Sequence, residues 1–271
     1  MKASHVKRWL TAIVAVPALF FLIFLGSEWS FALLIGVVIV LASLEYEGLI
    51  IRTGEAKRRW EFLLAASLIP ALTWSQDRGF LVVSVALLTM VLVFCELFRI
   101  RNDRGMPDTD LLARYILGLI YIPLLMSMFI FIRGLEQGTW WVFFVLAVAF
   151  AGDVAAFYTG KFLGRTKLMP AVSPNKTVEG VVGLVLGGTI AAVGFRFLFF
   201  PEMALGHFLI MGFFGSMIGQ LGDLFESLIK RGSGVKDSGS LLPGHGGVLD
   251  RIDCLLFIGP FVYFYRAYIM G

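Results

Sequence analysis

The sequence predicts an all-α fold: a polytopic integral membrane protein of about nine transmembrane helices, N-terminus cytoplasmic and C-terminus periplasmic or extracellular. Composition and the placement of basic residues carry this expectation. Of 271 residues, 58% are hydrophobic and 15% charged, and the mean hydropathy is +0.85. An ordinary soluble domain carries about 25% charged residues. A soluble core would not need nearly every segment to be apolar all round, whereas segments near the roughly 20 residues that cross a bilayer do.

Read in order, the apolar runs are Trp9–Gly26, Trp29–Leu44, Phe62–Trp74, Phe80–Phe98, Leu111–Ile132, Trp140–Tyr158, Val178–Phe200, Phe208–Ile229 and Ile252–Ile269. The first resembles a signal-peptide core, but no small-residue cleavage site follows Gly26, so it reads as an uncleaved anchor. The third is short and holds Pro70. The runs divide into an N-terminal set of about five spans (1–135) and a C-terminal, catalytic set of about four (136–271), the latter with cytoplasmic loops 159–177 and 230–251.

Basic residues set the direction. Of the 23 Lys and Arg, only Arg78, Arg133, Arg196 and Arg266 fall outside the N-terminus and the even-numbered connectors, when Arg114, at the start of the fifth run, is counted with the fourth connector. This is the positive-inside pattern, and it puts those connectors in the cytoplasm. The net charge of +4 is thereby distributed along the membrane face, and no nucleic-acid partner is expected. The outer connectors are short and poor in functional groups, so chemistry is expected on the cytoplasmic side. Cys95 and Cys254 lie far apart in apolar context, without metal-ligand spacing, and read as packing thiols.

Ionisable residues within spans are costly and face a cavity or a partner. Asp153 lies in the sixth span. Asp223 and Glu226 lie in the eighth and share a helix face with Lys230. Asp250 and Asp253, three apart, share a face at the start of the ninth. Three arrangements accommodate such carboxylates: a bridging cation, interhelical pairing with lysine or arginine, and a proton or ion relay. An oxygen-only donor set favours a hard ion, Mg²⁺ above all.

Two connectors carry the rest. Between the eighth and ninth spans, Gly232, Gly234, Gly239, Gly244, Gly246 and Gly247 alternate with Lys230, Arg231, Lys236, His245 and Arg251. Glycines let backbone N–H groups approach an anion that basic side chains neutralise. After the sixth span, "GKFLGRTKLMPAVSPNKTVEG" gives a basic patch of Lys161, Arg165, Lys167 and Lys176 suited to a lipid phosphate or a nucleotide. Thr177 has the place of an N-cap for the seventh span, with Glu179 in its first turn. Neither "GKFLG" nor "GHGG" is a Walker loop.

The stretch "SLIKRGSGVKDSGSLLPGHGGVLDRID", Ser227 to Asp253, closely resembles the signature of the bacterial phosphatidate cytidylyltransferases, also called CDP-diacylglycerol synthases. The sixth connector is similar to that family's second motif through Asp153, Tyr158, Gly160, Gly164, Arg165, Ser173, Pro174, Lys176, Thr177, Glu179 and Gly180. The resemblance implies a homodimeric enzyme of the bacterial inner membrane that takes CTP and phosphatidic acid to CDP-diacylglycerol and pyrophosphate. It implies Mg²⁺, with a monovalent cation such as K⁺ as a candidate to share the site, and it carries the metal-binding aspartates onto Asp223 and Asp250, with Asp253 nearby. Catalytic expectations then fall on Asp223, Asp250, Lys230, His245 and Arg251. Substrate-binding ones fall on Arg165, Ser173, Lys176, Arg231, Lys236, Gly246 and Gly247. Two rivals follow from the same residues: a CTP-dependent lipid kinase of polyprenol or phytol type, which would release CDP, and an ion-coupled transporter, which would place polar groups at mid-membrane and on both faces.

Overall fold

A computed structural model describes residues 17–50, 56–103, 108–241 and 246–270. The chain divides into two compact units, one comprising Met1–Phe131 with Asp237–Leu249, the other Ile132–Lys236 with Asp250–Gly271. The polar segment Asp237–Leu249 is therefore grouped with the N-terminal helices. The architecture is helical, as expected, with one two-stranded hairpin among the described residues.

The first unit contains α1 (residues 17–25), α2 (Glu28–Ile50), α3 (Ala56–Thr73), α4 (Arg78–Asp103), α5 (Thr109–Leu119) and most of α6 (Leu125–Arg133). Short polar residues start several of these helices. The Ser27 hydroxyl accepts from the Ser30 N–H, Asp77 from that of Phe80, and Asp108 from that of Leu111. Each satisfies a backbone donor that the first helical turn leaves without a partner. α5 and α6 are joined by a π-helical turn, Ile120–Leu124, that holds Pro123. Proline has no N–H to give the helix, and widening the turn absorbs the mismatch. The expected span Leu111–Ile132 is thus one continuous helical stretch, Thr109–Arg133. Tyr46, Phe62, Tyr115 and Tyr121 form the aromatic core of this unit, with Phe62 and Tyr115 ring centres 5.2 Å apart. The Tyr46 hydroxyl donates to the Arg114 carbonyl at 3.0 Å, so its polar end is satisfied.

The second unit contains α7 (Gly138–Leu163), strands β1 (Lys167–Met169) and β2 (Ser173–Thr177), α8 (Val178–Phe199), α9 (Leu205–Gly232) and α11 (Leu255–Tyr268). The short α10 (Leu249–Ile252) precedes α11. β1 and β2 are antiparallel, with Lys167 opposite Thr177 and Met169 opposite Ser173. α8 packs on α7 and α9, and α11 on α9 and α7. Small residues permit the close approach: a Cβ on Gly183 of α8 would lie 1.9 Å from Thr159 Oγ1 of α7. At the opposite end Trp141 stacks on Phe200 and Phe208, at 4.5 and 5.8 Å.

Among the described residues six helices are long and apolar enough to cross a membrane: Glu28–Ile50, Arg78–Arg101, Thr109–Arg133, Gly138–Leu163, Val178–Phe199 and Leu205–Gly232. The expected Phe62–Trp74 falls on a shorter apolar helix, Trp60–Thr73. The ninth run falls on α10 and α11, and the first is described only from residue 17. Val182, Leu186 and Ile190 of α8 are 55%, 58% and 71% exposed. Spaced by four, they make one outward apolar stripe, as lipid-facing helices carry and soluble ones avoid. The protein is a multi-pass membrane protein.

Candidate active site

The second unit gathers acidic side chains from α7, α9 and the α10–α11 junction into two groups. In the first, Lys176 Nζ of β2 pairs with Asp223 Oδ2 of α9. Asp153 of α7 and Asp253 lie within electrostatic range of Asp223 and of Lys176. Three carboxylates thus lie in the surroundings of one ammonium, which pairs with Asp223. A cavity of about 10 Å³ is lined by Gly152, Asp153, Gln220, Asp223 and Cys254, room for about one water-sized particle. Gln220 Nε2 is buried there without a hydrogen-bond partner among the described residues.

In the second group, Lys230 Nζ lies 2.6 Å from Asp250 Oδ1 and also pairs with Glu226, one turn back on α9. All three are deeply placed, Glu226 being 1% exposed. Asp250 and Asp253, expected to share one face, are instead directed to different groups. Asp250 meets Lys230, while Asp253 shares the surroundings of Asp223 and Asp153. Among the described residues no three His, Cys, Asp or Glu side chains converge so as to hold a metal ion.

The hairpin sets the first group. Thr177 caps α8, accepting from the Gly180 N–H as its sequence position predicts. The Glu179 carboxylate accepts from the N–H groups of Arg165 and Thr166, each at 3.1 Å, and so ties the entry to β1 to the first turn of α8. Ser173 opens β2, half-buried, and Lys176 sits near its end. Arg231 gives its guanidinium to the carbonyls of Val172, at 3.1 Å, and Val235, at 2.9 Å, and thereby joins the end of α9 to the hairpin turn. α9 ends in a Schellman arrangement. Gly234, at φ +75°, donates to the Arg231 carbonyl and Val235 to that of Lys230, both at 3.0 Å. Lys236 and Arg251 are exposed.

In the first unit, Gly246 takes φ +82° and Gly247 is buried. Both are expected substrate contacts. His245 lies outside the described residues.

Neither Glu226 nor Glu45 is among the site residues expected from the sequence. Glu226 was visible as an intramembrane acid, and its i, i+4 spacing to Lys230 was the signal for its pairing. Glu45 falls just beyond the second apolar run, which ends at Leu44 in the sequence. In the structure α2 continues to Ile50 and Glu45 is buried.

The chain matches the cytidylyltransferase family over residues 6–269. It is 37% identical over 209 residues to the phosphatidate cytidylyltransferase of Bacillus subtilis (strain 168), covering 77% of this chain and 75% of the relative. To the phosphatidate cytidylyltransferase of Staphylococcus saprophyticus it is 44% identical over 125 residues, 46% of this chain and 48% of the relative. To the uncharacterized protein YnbB of Escherichia coli (strain K12) it is 46% identical over 134 residues, 49% of this chain and 45% of the relative. The last two alignments thus span about half of each relative. A match that runs nearly end to end, on a helical membrane scaffold that places acids against lysines, leaves one assignment: the chain belongs to the cytidylyltransferase family and is a membrane nucleotidyltransferase.

Proposed function

We propose that this protein is a phosphatidate cytidylyltransferase, joining CTP and phosphatidic acid to give CDP-diacylglycerol and pyrophosphate. The observation that carries the reading is the Lys176–Asp223 pair beside Asp153 and Asp253. Around it, carboxylates for a hard cation and an ammonium for phosphate oxygens occupy one place. The names of the bacterial relatives point to the same reaction.

In this reading a phosphate oxygen of phosphatidic acid attacks the α-phosphorus of CTP. The bond from that phosphorus to the bridging oxygen breaks, and pyrophosphate leaves with the electron pair. The lipid phosphate is already largely ionised near pH 7, so no strong general base is required. Catalysis of such a transfer consists chiefly of positioning and charge stabilisation. Lys176, Lys230, Arg231, Lys236 and Arg251 neutralise triphosphate or lipid phosphate. Arg165, Ser173, Gly246 and Gly247 contribute to binding, and His245 orients phosphate or leaving group. The donor set fits Mg²⁺ in its chemistry: oxygen ligands only, and around Asp223 more negative charge than one ammonium offsets. Asp223 and Asp253 would hold it, whereas the expected ligand Asp250 is turned to Lys230 in the second group; K⁺ is a candidate second ion, and when bound Mg²⁺ would neutralise charge on the phosphate oxygens.

The bias of basic residues supports a cytoplasmic placement of the hairpin and of residues 230–251, nine crossings and an outer C-terminus. Placement in the bacterial inner membrane belongs to the same proposal, as does a homodimer. The test supplies purified protein with α-³²P-labelled CTP, phosphatidic acid and Mg²⁺. Labelled CDP-lipid with release of pyrophosphate supports the reading, and chelation should abolish it until Mg²⁺ is restored. Labelled CDP with a phosphorylated lipid would assign a kinase instead, and no lipid product would sink the proposal.

A further inference from the structure

Glu45 of α2 is a buried acid, 6% exposed, to which the reaction chemistry gives no task. Its carboxylate is fully engaged by a segment some two hundred residues further along the chain. Oε1 accepts from the Val248 N–H at 2.9 Å, and Oε2 from the Leu249 N–H at 2.8 Å and the Ser238 hydroxyl at 3.1 Å. Two glycines of the signature stretch press against the same group. A Cβ on Gly239 would lie 2.6 Å from Oε1, and one on Gly247 would lie 2.5 Å from Oε2. The sequence suggested that these glycines leave room for a phosphate; in the structure they leave room for Glu45.

Both ends of the polar loop, Ser238–Gly239 and Gly247–Leu249, are therefore held by one side chain. Hydrogen bonds from N–H groups to a buried carboxylate are among the strong ones. The helical turn α10 begins at Leu249, and Asp250 is the next residue. The first N–H groups of a helix have no partner within it, and Glu45 supplies one.

We propose that Glu45 is a positioning residue for the reaction. It clamps the two ends of the Ser238–Leu249 loop and so fixes where the turn bearing Asp250 starts. The kinetic half of this inference rests on the proposed cytidylyl transfer; the clamp does not.

The test compares full-length wild type, Glu45→Gln, Glu45→Ala and Ser238→Ala by hydrogen–deuterium exchange and by steady-state kinetics. In Glu45→Ala the Val248 and Leu249 amides should exchange about tenfold faster or more, with α7, α8 and α9 unchanged. Its kcat should fall about tenfold or more, while KM for CTP stays within about threefold, since the loss is one of arrangement and not of uniform binding. Glu45→Gln keeps one acceptor oxygen and should fall between wild type and alanine. Ser238→Ala, which removes one of the three bonds, should be milder still. Unchanged exchange at the two amides in both Glu45 variants overturns the clamp. Faster exchange throughout the chain in Glu45→Gln overturns it too, by making Glu45 a general fold determinant. Faster exchange confined to the loop with wild-type kcat overturns the positioning role. If wild type makes no CDP-lipid, the proposed reaction fails, and the exchange arm still decides the clamp.

Discussion

Lys230 Nζ stands 2.6 Å from Asp250 Oδ1 and on its other flank meets Glu226, so one ammonium serves two carboxylates. The side chains of Lys230, Asp250 and Glu226 are 12%, 11% and 1% exposed. Removing the cation leaves two acids facing each other with little water to screen them. Lys230→Met should therefore destabilise the protein by about 3 kcal/mol or more, the usual penalty for orphaning one side of a buried pair. The double variant Lys230→Met, Glu226→Gln should recover part of that loss, because one charge of each sign is gone. Thermal unfolding in detergent checks this. Strictly additive single and double effects would show that the three groups are not coupled.

The pair formed by Lys176 and Asp223 has a different character, with side chains 21% and 31% exposed. Partial exposure limits its contribution to stability to about 1 kcal/mol or less. Asp223→Asn should accordingly leave the unfolding temperature nearly unchanged while lowering turnover about a hundredfold or more, the scale seen when a preorganised electrostatic group is removed. An Asp223→Asn protein that turns over at the wild-type rate would remove Asp223 from the reaction.

The helical class, the sites of the apolar runs and the meeting of Glu226 with Lys230 are readable, because each rests on local spacing. A run of apolar residues announces a helix, and residues 226 and 230 meet whenever their helix forms. The partner of Asp223 was not readable, since Lys176 reaches it through a β-hairpin that no periodic pattern announces. "TKLMPAVSPNKT" is too short and too polar to read as two strands. Glu45 was missed for a related reason. A carboxylate at the end of an apolar run reads as a solvated helix end, and only the fold brings Val248 and Leu249 to it. The glycines of the signature stretch read as room for an anion, whereas Gly239 and Gly247 give that room to Glu45.

The start of α8 offers a test of how the hairpin is held. The Thr177 hydroxyl accepts from the Gly180 N–H at 3.1 Å, and Thr177 is the residue after Lys176. Thr177→Ala should lower stability by about 1 kcal/mol, the typical loss for an N-cap, whereas Thr177→Ser should retain most of it. Equal losses for the two variants would mean that the threonine methyl, and not its hydroxyl, matters there.

Gly222 precedes Asp223 on α9 and faces the turn that carries Asp253. A Cβ at position 222 would lie 2.5 Å from the Asp253 carbonyl oxygen and 3.1 Å from Phe257 Cδ2. The ring can tilt, but a backbone carbonyl cannot rotate aside, so Gly222→Ala must push the α10–α11 junction away from α9. Overpacking of this kind destabilises by about 1–3 kcal/mol. Because the displaced turn bears Asp253 opposite Asp223, turnover should fall further than stability alone explains. Gly194→Ala on α8 is the matched control: nothing lies within 4 Å of a Cβ there, and replacing an interior helical glycine by alanine should stabilise by about 0.5–1 kcal/mol. Stability and turnover measured together on the two variants separate helix propensity from the α9 contact. A Gly222→Ala protein as stable and as active as wild type would show that α9 does not approach Asp253 this closely.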